Sequence, residues 1–141
     1  MKSKRKLPKF WFSASLRIHD VPEYHEQITA RLGLPSECHK KGDPKSPPGK
    51  HPWPNDIWMR NSPLPERRDI AEHLAWVSNF ARPHLRYLRH LIRRGARIDV
   101  YMSYSCDHEH CGFGLAPKHL AIFTRLGIRM EVSIMTHFLA D

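Results

Sequence analysis

Arg97-Ile-Asp-Val-Tyr-Met-Ser-Tyr-Ser105, then the loop Cys106–Gly114, the segment Pro117–Leu126 and the run Ile128–Met135, together decide how this chain folds. In the first run Ile98, Val100, Met102 and Tyr104 alternate with Arg97, Asp99, Tyr101 and Ser103. In the last, Ile128, Met130, Val132 and Ile134 alternate with Arg129, Glu131 and Ser133. A period of two puts one set on a buried sheet face and turns the other toward water. Between the runs, Pro117 suits a first helical turn, where its missing N–H is not needed, and Gly127 suits the left-handed residue past a last turn. Leu120, Ala121, Phe123 and Leu126 give that helix an apolar side. The segment reads strand, loop, helix, strand.

The same reasoning extends to the N-terminal side. Phe10–Ile18 is a strand, with Phe12, Ala14, Leu16 and Ile18 opposed to Trp11, Ser13, Ser15 and Arg17. Asp20-Val-Pro22 reads as a helix entry with Asp20 as its cap, and Tyr24, Ile28 and Leu32 recur at helical spacing until Gly33. Ser36–Lys41 reads as a brief strand. Five prolines within Gly42–Asn55 prevent helix and ladder alike, which predicts an exposed, partly extended and mobile loop. Ile57–Arg60 is a short strand. Pro65–Arg94 is a long helical region in which Ile70, Leu74, Val77 and Ala81 form one stripe. Pro83 predicts a kink or two consecutive helices there. Leu85, Leu88, Leu91 and Ile92 continue the apolar side, and Gly95 closes it.

The first six elements match a ferredoxin-like βαββαβ core, with one further C-terminal helix and strand appended. The expected class is α+β, with helices on one face of a mostly antiparallel sheet and the other face open. Residues 1–9 form a basic tail, and residues 10–141 a single domain.

Composition narrows the function. Of 141 residues, 40% are hydrophobic and 26% charged, ordinary for a soluble domain. No apolar run approaches the roughly 20 residues of a membrane span, and the basic N-terminus leads into no long apolar segment. Neither a membrane partner nor a secretory signal is expected. Three cysteines, an odd number, fit a reducing cytoplasm better than a disulfide scaffold. The net charge of +9 favours anionic partners, but Lys2, Lys4, Arg5, Lys6 and Lys9 of the tail leave only +4 for the rest.

Several stretches resemble a known family. These are Phe12-Ser-Ala-Ser-Leu-Arg-Ile18, then Leu32-Gly-Leu-Pro35 with Lys40-Lys-Gly-Asp43, then Gly112-Phe-Gly-Leu-Ala-Pro117, and Leu126-Gly-Ile128 before the last strand. Together they resemble the bacterial "domain of unknown function 4279" (DUF4279) family over roughly Phe10 to Met135. The resemblance implies an α+β fold and a small cytosolic protein. It carries over no activity and no catalytic residues, and it does not extend to the Cys106–Cys111 loop.

Three constellations carry chemistry. Cys106, His108, His110 and Cys111 supply thiol and imidazole ligands of the kinds zinc takes. All four lie in one hexapeptide, however, which lacks the long segment separating ligand pairs in a zinc finger. A feasible zinc site would borrow Cys38 or His39, or a second copy. The plain alternative is a polar loop with two thiols, and a Cys106–Cys111 disulfide would require an oxidising setting. Arg82, Arg86, Arg89 and Arg93 fall on one helix side, fit for phosphates or carboxylates, or merely a solvated face near a helix C-terminus. Trp11 and Arg17 from the first strand, with Tyr101 from a later one, share the open sheet face, and Trp53 lies in the proline-rich loop.

No G-x-S-x-G, H-E-x-x-H or P-loop pattern occurs, so no catalytic residues are assigned. His73, His84 and His90 are expected at or near the surface. The leading expectation is a non-catalytic module that recognises a protein partner through Trp11, Trp53, Tyr101 and Arg17. Sequence-tolerant nucleic-acid binding through the tail and the arginine stripe is the alternative, and zinc at the cysteine loop a further one.

Overall fold

The computed structural model describes residues 9–45, 51–108 and 112–136. Most of the basic tail, the middle of the proline-rich loop, His110 and Cys111 lie outside the described residues. Strand β1 (Phe10–His19) lies antiparallel along β4 (Arg97–Cys106), in unbroken register from Phe10 opposite Cys106 to His19 opposite Arg97. Strand β3 (Ile57–Asn61) pairs antiparallel with the other side of β1, and β2 (Glu37–His39) pairs antiparallel with β3. Strand β5 (Arg129–Thr136) runs parallel beside β4. The sheet order is β2-β3-β1-β4-β5, mostly antiparallel as the period-two patterns predict for an α+β domain.

Helices α1 (His25–Leu32), α2 (Ile70–Ala81), α3 (Leu85–Arg93) and α4 (Ala121–Leu126) connect the strands. Ala14, Leu16 and Ile18 of β1 with Val100 and Met102 of β4 are fully buried, as are Ile70, Leu74, Val77 and Ala81 of α2. Alternate residues of β1 and β4 therefore share one core with the predicted α2 stripe, and each large side chain so buried stabilises the fold by about 1.5–3 kcal/mol. Trp58 of β3 is buried too, and its Nε1–H donates to Thr29 Oγ1 at 3.0 Å, tying α1 to the sheet. Phe12 stacks on Tyr104 at 4.9 Å between centroids, and Phe113 meets the edge of Tyr104 at 5.6 Å.

The structure departs from the sequence reading at four places. Asp20 does not cap a helix: its backbone sits at φ +70° where the chain reverses after β1. Its N–H donates to both carboxylate oxygens of Asp56, at 3.0 and 3.2 Å. The helix is entered instead through a tight turn at Pro22–Tyr24. The long helical region begins at Ile70 rather than Pro65, and Pro83 splits it, having no N–H for the carbonyl one turn back; a short 3-10 turn, Arg82–His84, joins α2 to α3.

His73 is only 1% exposed, not a surface residue. It faces the loop before α2, with Nδ1 2.9 Å from Ser62 Oγ and Nε2 3.2 Å from the Pro65 carbonyl. Finally, the apolar set of β5 is not buried: Met130, Val132 and Ile134 are 42%, 37% and 63% exposed. Alternation buries a face only where another element lies over it. Here β5 is the edge strand, and the six-residue α4 turns Ile122 and Leu126 inward toward the core.

This yields a stability contrast. Met102→Ala is expected to cost about 2–5 kcal/mol, whereas Ile134→Lys, despite an equally apolar position in the pattern, changes stability by only about 0.5 kcal/mol. Urea denaturation midpoints of the two variants check it.

Candidate functional site

Trp11, Arg17 and Tyr101 share the sheet face opposite the helices, and Trp53 of the proline-rich loop stacks on His39 of β2. Near the middle, Arg17 forks onto Asp99 of the neighbouring strand, Nε to Oδ1 at 2.6 Å and Nη2 to Oδ2 at 2.8 Å. Its guanidinium lies 4.4 Å from the Tyr101 ring centroid. His19 Nε2 is 3.6 Å from Asp99 Oδ2. Although burial alone would raise the Asp99 carboxyl, the adjacent His19 ring and the Arg17 fork hold it below the usual carboxylate range.

At one end of this face Trp11 lies under the Arg67 guanidinium, 5.6 Å away, beside a depression of about 340 Å³ lined by Ser13, Glu66, Ser103 and Ser105. At the other end Trp53 stacks on His39 at 3.9 Å, with Lys45 4.8 Å above it. A second depression, about 310 Å³, opens there against His19, Glu37 and Arg97. The described flanks of the proline-rich loop are tied together, Gly42 N–H to the Trp53 carbonyl and Trp53 N–H to the Asp43 carbonyl, both at 2.9 Å.

The arginines lie on the helix side, across the sheet from that face. They do not act as one row. Arg86 and Arg93, seven residues and so about 10 Å apart along α3, line a groove of about 500 Å³ between α3 and α1. Arg31, His84 and His90 share it, and Tyr87 forms its wall, donating to Gln27 Oε1 at 2.7 Å. Arg82 leans to the other side, into a small depression with Lys118 and Arg125, and Arg89 donates to the Arg125 carbonyl at 3.0 Å. Among the described residues none of Arg31, Arg82, Arg86, Arg89, Arg93 and Arg125 has a carboxylate within 4.0 Å, in contrast to Arg17, Arg68, Arg97 and Arg129.

The sequence reading found the α3 arginines and missed Arg31, Lys118 and Arg125. Each of these is a single exposed cation near the end of its own short helix or in the turn before it, unremarkable until α1 and α4 pack beside α3.

At the cysteine loop, Cys106 is disulfide-bonded, and a disulfide sulfur offers no thiolate to a metal. His108 points its Nδ1 to Asp107 Oδ1 at 2.7 Å, and Asp107 also accepts the Lys9 backbone N–H at 2.8 Å. His110 and Cys111 lie outside the described residues. Among the described residues no three His, Cys, Asp or Glu side chains converge as a metal site would need, and no helix is long and apolar enough to cross a membrane.

The fold and these surfaces define a small α+β domain with a self-neutralised sheet face and a cationic helix face. The family model described as "Domain of unknown function (DUF4279)" matches residues 11–137, and the chain belongs to that family. Comparison with curated proteins and with solved structures found no match.

Buried titrating groups set an acid limit. Burial holds His25 and His73 below their ordinary value, so the unfolded chain takes up their protons first as pH falls. Stability is therefore expected to decline from about pH 6.5 downward, through the interval between the unfolded and the lower folded values. Asp99 acts later: its contribution is complete above about pH 3.9 and is lost as pH falls through its depressed folded value. Denaturant midpoints measured from about pH 2 to about pH 8, which spans both carboxylate and imidazole titration, for the wild type and for His73→Gln check this, the variant showing the shallower decline near pH 6.

Proposed function

We propose that this protein binds nucleic acid through the phosphate backbone, without sequence readout, using the helix face around α3. The observation that carries the reading is the lack of carboxylate partners, among the described residues, for arginines that crowd one face. Guanidinium groups neutralised inside the protein, as Arg17 is by Asp99, have little left for a ligand. Those of Arg86, Arg93 and Arg31 keep their full charge and their hydrogen-bond donors, and they flank an open groove. Phosphates fit such donors, and each phosphate neutralised releases condensed counterions. The basic tail adds to the attraction without defining where it is aimed.

A protein partner on the sheet face is the second reading, supported by the depressions beside Trp11 and Trp53. It ranks below the first because Arg17, Tyr101 and Trp53 are engaged in contacts within the chain.

Titration into labelled single-stranded and duplex oligonucleotides at several salt concentrations tests the proposal. Affinity should fall steeply with salt, persist after removal of residues 1–9, and depend weakly on sequence. Arg86→Ala with Arg93→Ala should lower the slope of log K against log salt by about two, one for each lost phosphate contact. Binding that disappears with the tail, or is unmoved by the arginine pair, overturns it and leaves the sheet face as the better candidate.

A further inference from the structure

Away from the arginines around α3, three residues from separate segments of the chain meet near the β2 edge of the sheet. Cys38, on the short edge strand β2, is exposed, a free thiol on the helix side opposite Trp58. Its Sγ lies 3.3 Å from Nδ1 of His25, the first residue of α1. On the far side of the ring, His25 Nε2 lies 3.5 Å from Asp56 Oδ2. His25 is only 5% exposed, and Nε2 is a buried nitrogen that makes no hydrogen bond of good geometry.

Asp56 is itself aimed by two hydrogen bonds from the Asp20 N–H, available because Asp20 sits at φ +70°. Strain of that kind persists only where surrounding contacts over-determine it, and it concentrates at functional positions. Beside the thiol lies a shallow depression of about 270 Å³, largely apolar, lined by Glu26, Thr29, His25 and Cys38. The Thr29 hydroxyl, which lines it, accepts from Trp58 Nε1–H at 3.0 Å.

We infer that Cys38, His25 and Asp56 form a nucleophilic thiol site that accepts an acyl group from a small uncharged activated ester or thioester. The order thiol, imidazole, carboxylate is that of a base-activated nucleophile: Nδ1 faces the sulfur, and Nε2 on the far side of the ring faces the Asp56 carboxylate across 3.5 Å. In the acyl transfer Sγ bonds to the carbonyl carbon while His25 Nδ1 takes the thiol proton. The bond to the leaving oxygen or sulfur breaks, and His25 returns that proton to the leaving group. No oxidant, reductant or third reactant is needed. Asp56 is a positioning residue, fixing the tautomer and orientation of the ring.

Burial, with help from Asp43 and Asp56 and against Lys40, keeps the Cys38 thiol above its ordinary value. Burial likewise keeps His25 below its own, opposed by Asp56 and assisted by Lys40 and His39. The resting pair is therefore a neutral thiol beside a neutral imidazole, so reaction requires His25 as a base rather than a preformed thiolate.

The test uses p-nitrophenyl acetate and the full-length protein, following the burst of p-nitrophenolate and locating the acetyl group by peptide mass mapping. One acetyl per chain on Cys38 is expected. The burst rate should rise through a single inflection below about pH 6.5, where His25 loses its proton, and then level near neutrality. His25→Gln should slow the burst about 10²–10⁴-fold, the usual range for a general base. Asp56→Asn should move the inflection to lower pH, since Asp56 is what raises His25. A wild-type rate that climbs without a plateau into the thiol range overturns the proposal, whatever the fate of the variants. So does acetylation confined to other residues. An unchanged burst in a folded His25→Gln protein would likewise make Cys38 an ordinary surface thiol.

Discussion

The long antiparallel ladder between β1 and β4 is the contact on which the rest depends. Ten residue pairs hold it in one register, and a slip by a single residue would turn every side chain to the wrong face. On the helix side the register seats Leu16 beside Val100 and Ala14 beside Met102, beneath α2. On the other side it sets Arg17 directly opposite Asp99, so the fork between them braces the same pairing. Apolar burial and a charged brace thus specify one register from both faces. Breaking one partner of such a nearly buried pair is costly even though the pair as a whole contributes little net stability.

Charge is handled differently on the two surfaces this ladder separates. The sheet face carries arginine, histidine, aspartate and aromatic side chains that neutralise or stack on one another. Around α3 the helix face carries arginines that, among the described residues, have no carboxylate within 4.0 Å. An exposed ion pair contributes only about 0–1 kcal/mol, so leaving these arginines unpaired sacrifices little stability while preserving their full attraction for an external anion. Arg31 is a partial exception, lying 4.9 Å from the Tyr87 ring, yet that contact leaves its charge in place.

Asp56 links two otherwise separate features of the edge. It takes up the amide of Asp20, which permits the reversal after β1, and it faces the ring of His25, which in turn faces Cys38. The proline-rich loop delivers Asp56 to that position at the start of β3. A segment whose composition reads as a solvated connector thus stacks Trp53 on His39 at one face and is followed directly by Asp56, which faces His25.

Alternation in β1 and β4, the α2 stripe, the break at Pro83 and the stops at Gly33, Gly95 and Gly127 were legible in the sequence, because each is a local property of backbone and side chain. The α+β class follows from their order. What lay beyond reach depends on neighbours distant along the chain. The apolar set of β5 obeys the same period as that of β4 and yet stays exposed, since only the assembled sheet makes it an edge beyond α4. His73 reads like any polar residue on a helix until the loop before α2 closes over it. Arg31, Lys118 and Arg125 become part of a cationic face only when α1 and α4 flank α3, and Cys38 meets His25 and Asp56 only when β2 pairs with β3. Sequence determined which residues could form each element; tertiary packing decided which side chains were covered, which were paired, and which were left free to act.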